Sequence, residues 1–155
     1  MDEKTTFEEL LEKTGVIVYT NKGVSMMPLL RQDRDLMVIE RKGSERCKKY
    51  DAVLFRRPGS QGVYVLHRIL RVNDDGTYWI VGDNCVTGET VREENVLGIL
   101  TAVVRDGKNI PVTGRGYRAY VHLWCDCYPL RFGILRARNL AARCVSGGMR
   151  RLGLR

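Results

Sequence analysis

The sequence predicts a mainly β fold, antiparallel and partly closed, preceded by a short helix and followed by a basic helical extension. Three observations carry that expectation. Short segments rich in Val, Ile, Leu, Phe and Tyr recur along the first two thirds of the chain, Asp-Gly turns separate some of them, and no long helices alternate with them. At 155 residues, 44% hydrophobic and 28% charged, the chain has material for one domain with its own core plus an appendage.

The elements follow in order. Thr6-Phe7-Glu8-Glu9 has the form of a capping box, in which the Thr oxygen and the Glu carboxylate each satisfy a free N–H at a helix start. A helix over about 6–13 is expected from it. Strands are expected over 16–20, 36–40, 51–57, 63–72, 77–81 and 96–104, where β-branched and aromatic residues lie between Gly, Asn and Asp. Asp75-Gly76 and Asp106-Gly107 suit tight hairpins, because Asp and Gly tolerate positive φ. Beyond them the period changes: Tyr117, Tyr120, Val121, Trp124 and Tyr128 recur at helical spacing up to Pro129. A second helical stretch, 130–145, mixes Ile134, Leu135, Leu140, Ala141 and Ala142 with Arg131, Arg136, Arg138 and Arg143, and Gly147-Gly148 is expected to end it. The division is therefore 1–114 for the β domain and 115–155 for the extension.

Charge follows the same division. Residues 1–114 hold 17 basic and 17 acidic residues; residues 115–155 hold nine Arg and the single acid Asp126, so the whole net charge of +8 lies in the extension. The N-terminal segment is charged throughout, unlike a secretory signal. No uncharged stretch exceeds ten residues, about half of the roughly 20 that a membrane-crossing helix needs. The five cysteines are irregularly spaced with no matching His pair, which favours reduced thiols over a disulfide framework or a zinc site. A cytoplasmic protein, at most peripheral to a membrane, is the expectation.

The chemistry centres on Gly23-Val24-Ser25-Met26-Met27-Pro28, followed by Asp35 and an apolar strand. Taken alone, it is a serine in a turn whose Met26 and Leu29 fill core. The segments after it are Tyr50-Asp51-Ala52-Val53, Leu66-His67-Arg68-Ile69, Gly82-Asp83-Asn84 and Val96-Leu97-Gly98. This order resembles the signal peptidase I superfamily: Ser-Met-x-Pro, Gly-Asp-x-Val with Tyr50 in place of Gly, Val-His-Arg-Ile, Gly-Asp-Asn and Val-x-Gly. The resemblance covers about half of the chain and leaves the extension aside.

A serine hydroxyl needs a neighbouring base to become a nucleophile at neutral pH. One branch of the superfamily uses Lys, and the branch that includes the endoplasmic reticulum enzyme uses the His of His-Arg. Here that position is His67, and no Lys lies between Lys49 and Lys108. The resemblance thus implies Ser25 as nucleophile, His67 as general base and a serine endopeptidase of signal peptidase fold. A third group should orient the imidazole. The family's spacing from Asp83 points to Glu89, with Asp83 itself the other candidate. Signal peptidases commonly carry a hydroxyl two residues before the nucleophile, for the oxyanion; this chain has Gly23 there, leaving the Ser25 N–H as donor.

The substrate implied is a signal or leader peptide, or another precursor, cut after a small residue with no metal or cofactor. A catalytically silent peptide-binding or regulatory module of the same fold is the alternative that Gly23 favours. The self-cleaving repressor branch ranks lower for want of its Lys. For residues 115–155 an anionic membrane surface is the expected partner, since basic residues among Leu, Ile and Phe suit an interfacial helix. Nucleic acid ranks below it, with no recognition motif present.

Overall fold

The computed structural model describes residues 5–60 and 62–151, except for the side chains of residues 128, 139 and 142–151. Helix α1 spans Phe7–Thr14, and its Thr6–Glu9 capping box forms as the sequence predicts, with Gly15 closing the helix in the left-handed region. Eight strands follow: β1 Val16–Thr20, β2 Leu36–Arg41, β3 Ala52–Arg56, β4 Tyr64–Val72, β5 Thr77–Val81, β6 Gly88–Arg92, β7 Val96–Arg105 and β8 Lys108–Pro111. Then come α2 Gly114–Val121, a π-helical segment His122–Asp126 and α3 Tyr128–Arg151.

All strand pairs are antiparallel, and they join into a sheet of order β1-β2-β7-β3-β4-β5-β6, with β8 also on β7. The sheet is open, with β1 and β6 at its ends, so the expected partial closure is not found. Asn73 to Gly76 turns β4 into β5 and Asp106-Gly107 turns β7 into β8, each as the Asp-Gly signals predict.

The core lies on both faces of the sheet. Ala52 and Leu54 of β3 pack with Ile17, Met26, Leu30, Ile39 and Leu100, whereas Val53 and Phe55 pack with Ile69, Tyr78, Ile80 and Val91. Alternate residues of a strand point to opposite faces, which is why β3 reads as an unbroken apolar run. It is buried on both sides.

The C-terminal arm, α2 to α3, lies against the body instead of standing apart. Val121, Cys125, Arg131 and Leu135 are buried. Pro129 sits in the first turn of α3, where its missing N–H has no helical partner to lose. The helix expected to stop at Gly147-Gly148 continues to Arg151; the side chains of Ala142 and Arg143 lie outside the described residues. No described helix is long and apolar enough to cross a membrane. Cys47, Cys85, Cys125 and Cys127 are free thiols.

Candidate active site

Ser25 lies in the loop joining β1 to β2. That loop is anchored from within: Met26 and Leu30 are 1% and 0% exposed, each contributing on the order of 2 kcal/mol by leaving water. Its far end is braced by Asp35, fully buried, which accepts from the Arg31 N–H at 2.8 Å and from the Arg105 guanidinium at 2.6 Å. Arg105 also donates to the Leu29 carbonyl at 2.9 Å. The guanidinium holds the Asp35 carboxyl below its ordinary range.

His67 lies on β4 opposite Val53, on the same face as Phe55, whose ring centroid is 6.2 Å away. It is 7% exposed. Burial pushes its pKa below the ordinary 6.5, and the charge of Glu89 pulls it back in part. The ring is thus neutral at pH 7, as a general base must be.

Gly82 is where the two segments meet. A Cβ there would sit 2.7 Å from the Ser25 carbonyl oxygen, 2.9 Å from His67 Nε2 and 2.7 Å from Cys85 Sγ. All three atoms crowd one point, and only glycine leaves them room. Asn84 fixes the approach, donating its N–H to the Ser25 carbonyl at 2.7 Å and its Nδ2 to the Val24 carbonyl at 3.0 Å. Among the described residues, Ser25 Oγ and His67 share no hydrogen bond; it is the Ser25 carbonyl oxygen that approaches the same point beside Gly82 as Nε2. Cys85 is the other nucleophilic atom nearby. Burial raises its thiol pKa, which keeps it protonated at neutral pH.

The other side of the ring meets Glu89. His67 Nδ1 has no hydrogen-bond partner and lies 3.7 Å from Glu89 Oε1. The pairing Ile80↔Glu89 puts that carboxylate on the His67 face. Gly88 keeps the strand close, since a Cβ there would come within 2.7 Å of Trp79 and Val81. Arg57, which the sequence did not single out, grips Glu89 through two nitrogens at 3.0 and 2.7 Å. Asp83 is turned elsewhere. Both its oxygens accept from Arg68, at 2.8 and 2.7 Å, and Tyr120 donates to one of them at 2.8 Å. The structure therefore gathers Ser25, His67 and Glu89, and commits the Asp83 carboxylate to the buried Arg68.

No protein-family model matches the chain, and no curated protein matches it at a significant level. Among the described residues no group of three or more His, Cys, Asp and Glu stands together as a metal site would require.

Proposed function

We propose that this chain is a serine endopeptidase of the signal peptidase I type, using Ser25 and His67 to cut a signal peptide, leader peptide or other precursor. The observation that carries the reading is the meeting at Gly82 of the Ser25 main chain with His67 Nε2, while Nδ1 of the same ring faces Glu89. One nitrogen faces the nucleophile's segment and the other an acid, the order that a Ser–His–acid relay needs.

In this mechanism Ser25 Oγ attacks the scissile carbonyl as its proton passes to His67 Nε2. The Ser25 N–H donates to the oxyanion. His67 then returns the proton to the leaving amine, and water, activated by the same ring, hydrolyses the Ser25 ester. Glu89 stabilises the ring while it is charged. The substrate lies extended and gains main-chain hydrogen bonds, as in strand addition. The absent Ser25–His67 hydrogen bond forms when substrate closes the site, because such contacts are often long in free enzymes.

The exposed Leu123, Leu130 and Ile134 of the arm, among its Arg residues, support attachment to an anionic lipid surface. The signal peptidase fold type and the family rest on the same resemblance of motifs.

The test is cleavage of peptides with a small residue before the scissile bond, together with labelling by a fluorophosphonate. Wild type should cleave and label at Ser25, and Ser25→Ala and His67→Ala should do neither. The missing Gly23 hydroxyl favours the silent peptide-binding module as second reading. Peptide binding without cleavage or labelling would establish that module in place of the enzyme.

A further inference from the structure

The turn Gly82-Asp83-Asn84 has two sides. Inward, it holds the carbonyls of Val24 and Ser25, and Gly82 leaves no room for a side chain beside His67 Nε2. Outward, its polar groups are taken by the C-terminal arm. Trp124 Nε1 donates to the Asp83 carbonyl at 2.8 Å, and Tyr120 donates to the Asp83 carboxylate at 2.8 Å. Arg131 reaches the Gly82 carbonyl at 3.5 Å and Arg138 donates to Asn84 Oδ1 at 2.9 Å. Behind the turn, Arg68 donates to the Tyr117 hydroxyl at 2.8 Å and lies over the rings of Tyr117 and Tyr120.

These contacts are more specific than packing requires. Arg68 and Asp83 are both fully buried, where a charge pair is stable only if its remaining hydrogen-bonding groups are satisfied. The arm supplies Tyr117 and Tyr120 for them, beside the Tyr50 carbonyl of the β domain. Trp124 stands in the π-helical segment His122–Asp126, and such wide turns inside helices concentrate at functional positions.

We infer that the arm is a working part of the site: Tyr120 and Trp124 are positioning residues that hold Gly82-Asp83-Asn84 so that Ser25 and His67 stay in register. The inference rests on the peptidase reading for its kinetic consequence but not for its geometric one. A turn that shifts carries the Ser25 carbonyl and the space around Nε2 with it. Displacement of about 1 Å at reacting groups costs up to about a hundredfold in rate.

Tyr120→Phe removes only a hydroxyl, and Trp124→Phe removes the N–H donor with part of the ring. The double variant should lose about tenfold in kcat with KM within about twofold, since it disturbs the reacting groups more than the binding strand. Its His67 imidazole resonances should move. The chain has only two histidines, and a His122→Asn background leaves His67 as the single signal. Should the double variant fold poorly, Tyr120→Phe alone gives the same readout more weakly. A fall in melting temperature with kcat and the His67 resonances unchanged would overturn the inference and leave the arm as a brace. Moved His67 resonances in a protein that neither cleaves peptides nor labels at Ser25 would uphold the positioning and reject the peptidase.

Discussion

His67 Nδ1 lies 3.7 Å from Glu89 Oε1, while the Asp83 carboxylate, nearer in sequence, is gripped by Arg68 at 2.7 and 2.8 Å. The two acids flanking the same histidine thus have different tasks. One faces the ring and the other holds the turn.

Glu89→Gln should lower kcat by about tenfold or more, because the imidazolium formed during catalysis loses its counter-charge. It should also move the acid limb of the kcat/KM profile to lower pH, since the Glu89 charge raises the His67 pKa. Asp83→Asn should act first on folding, leaving the buried Arg68 charge uncompensated at a cost of about 3–5 kcal/mol. Urea midpoints and pH–rate profiles of both variants check this; a larger kcat loss at full stability for Asp83→Asn would transfer the orienting role to Asp83.

Stability should fall as pH drops below 6.5. Burial depresses the His67 pKa in the folded chain, so below the ordinary value the unfolded chain takes a proton that the folded chain refuses. The contribution is whole above 6.5 and is lost as pH falls through the folded-state value. Urea denaturation of wild type and His67→Gln across that range tests it. The variant should show the shallower dependence, and parallel curves would refute it.

Gly23→Ser should raise kcat. A Cβ at Gly23 meets nothing nearer than the Ser25 N–H nitrogen at 4.0 Å, so a hydroxyl fits beside the oxyanion donor already there. One such donor is worth about a hundredfold in rate. An unchanged or lower kcat would place the oxyanion elsewhere.

The strands were legible where their residues are β-branched, aromatic or apolar. Residues 77–81 and 16–20 match in full, the second although only Ile17 of it is buried, because such residues between turn signals mark a strand by composition. β6 and β8 were missed for the converse reason: Gly-Glu-Thr-Val-Arg and Lys-Asn-Ile-Pro are short and mostly polar. Ser25 and His67 came from motif order, and the structure adds Gly82 as their meeting point. The arm was the least legible part. Tyr117, Tyr120 and Trp124 read as an apolar helical stripe, yet it is their polar tips that engage Arg68 and Asp83. Arg131 counted as surface charge and is 2% exposed. Periodicity locates a face; it does not name what lies across from it.

The arm's outer side gives a further expectation. Leu130 and Ile134, one turn apart, are 65% and 53% exposed, apart from the stripe of Arg131 and Leu135 that is buried. The full chain should sediment with anionic vesicles in low salt and be released as the Debye length shrinks from about 10 Å at 0.1 M to about 3 Å at 1 M. Leu130→Glu with Ile134→Glu should abolish binding and spare cleavage of a soluble peptide. Equal binding to neutral and anionic vesicles would remove the electrostatic part of this expectation, and salt-sensitive binding to duplex DNA alone would replace it.

The strand order has a consequence in time. β7 fills the slot between β2 and β3, yet the ribosome makes it after β6. Until Val96–Arg105 emerges, the β1–β2 hairpin with Ser25 and the β3–β6 meander with His67 have no strand joining them. A polypeptide interrupted before that point has the contacts of the Gly82-Asp83-Asn84 turn but no strand between the two pieces. On the peptidase reading proposed above, the strand that joins the Ser25 and His67 pieces is therefore made only after both of them.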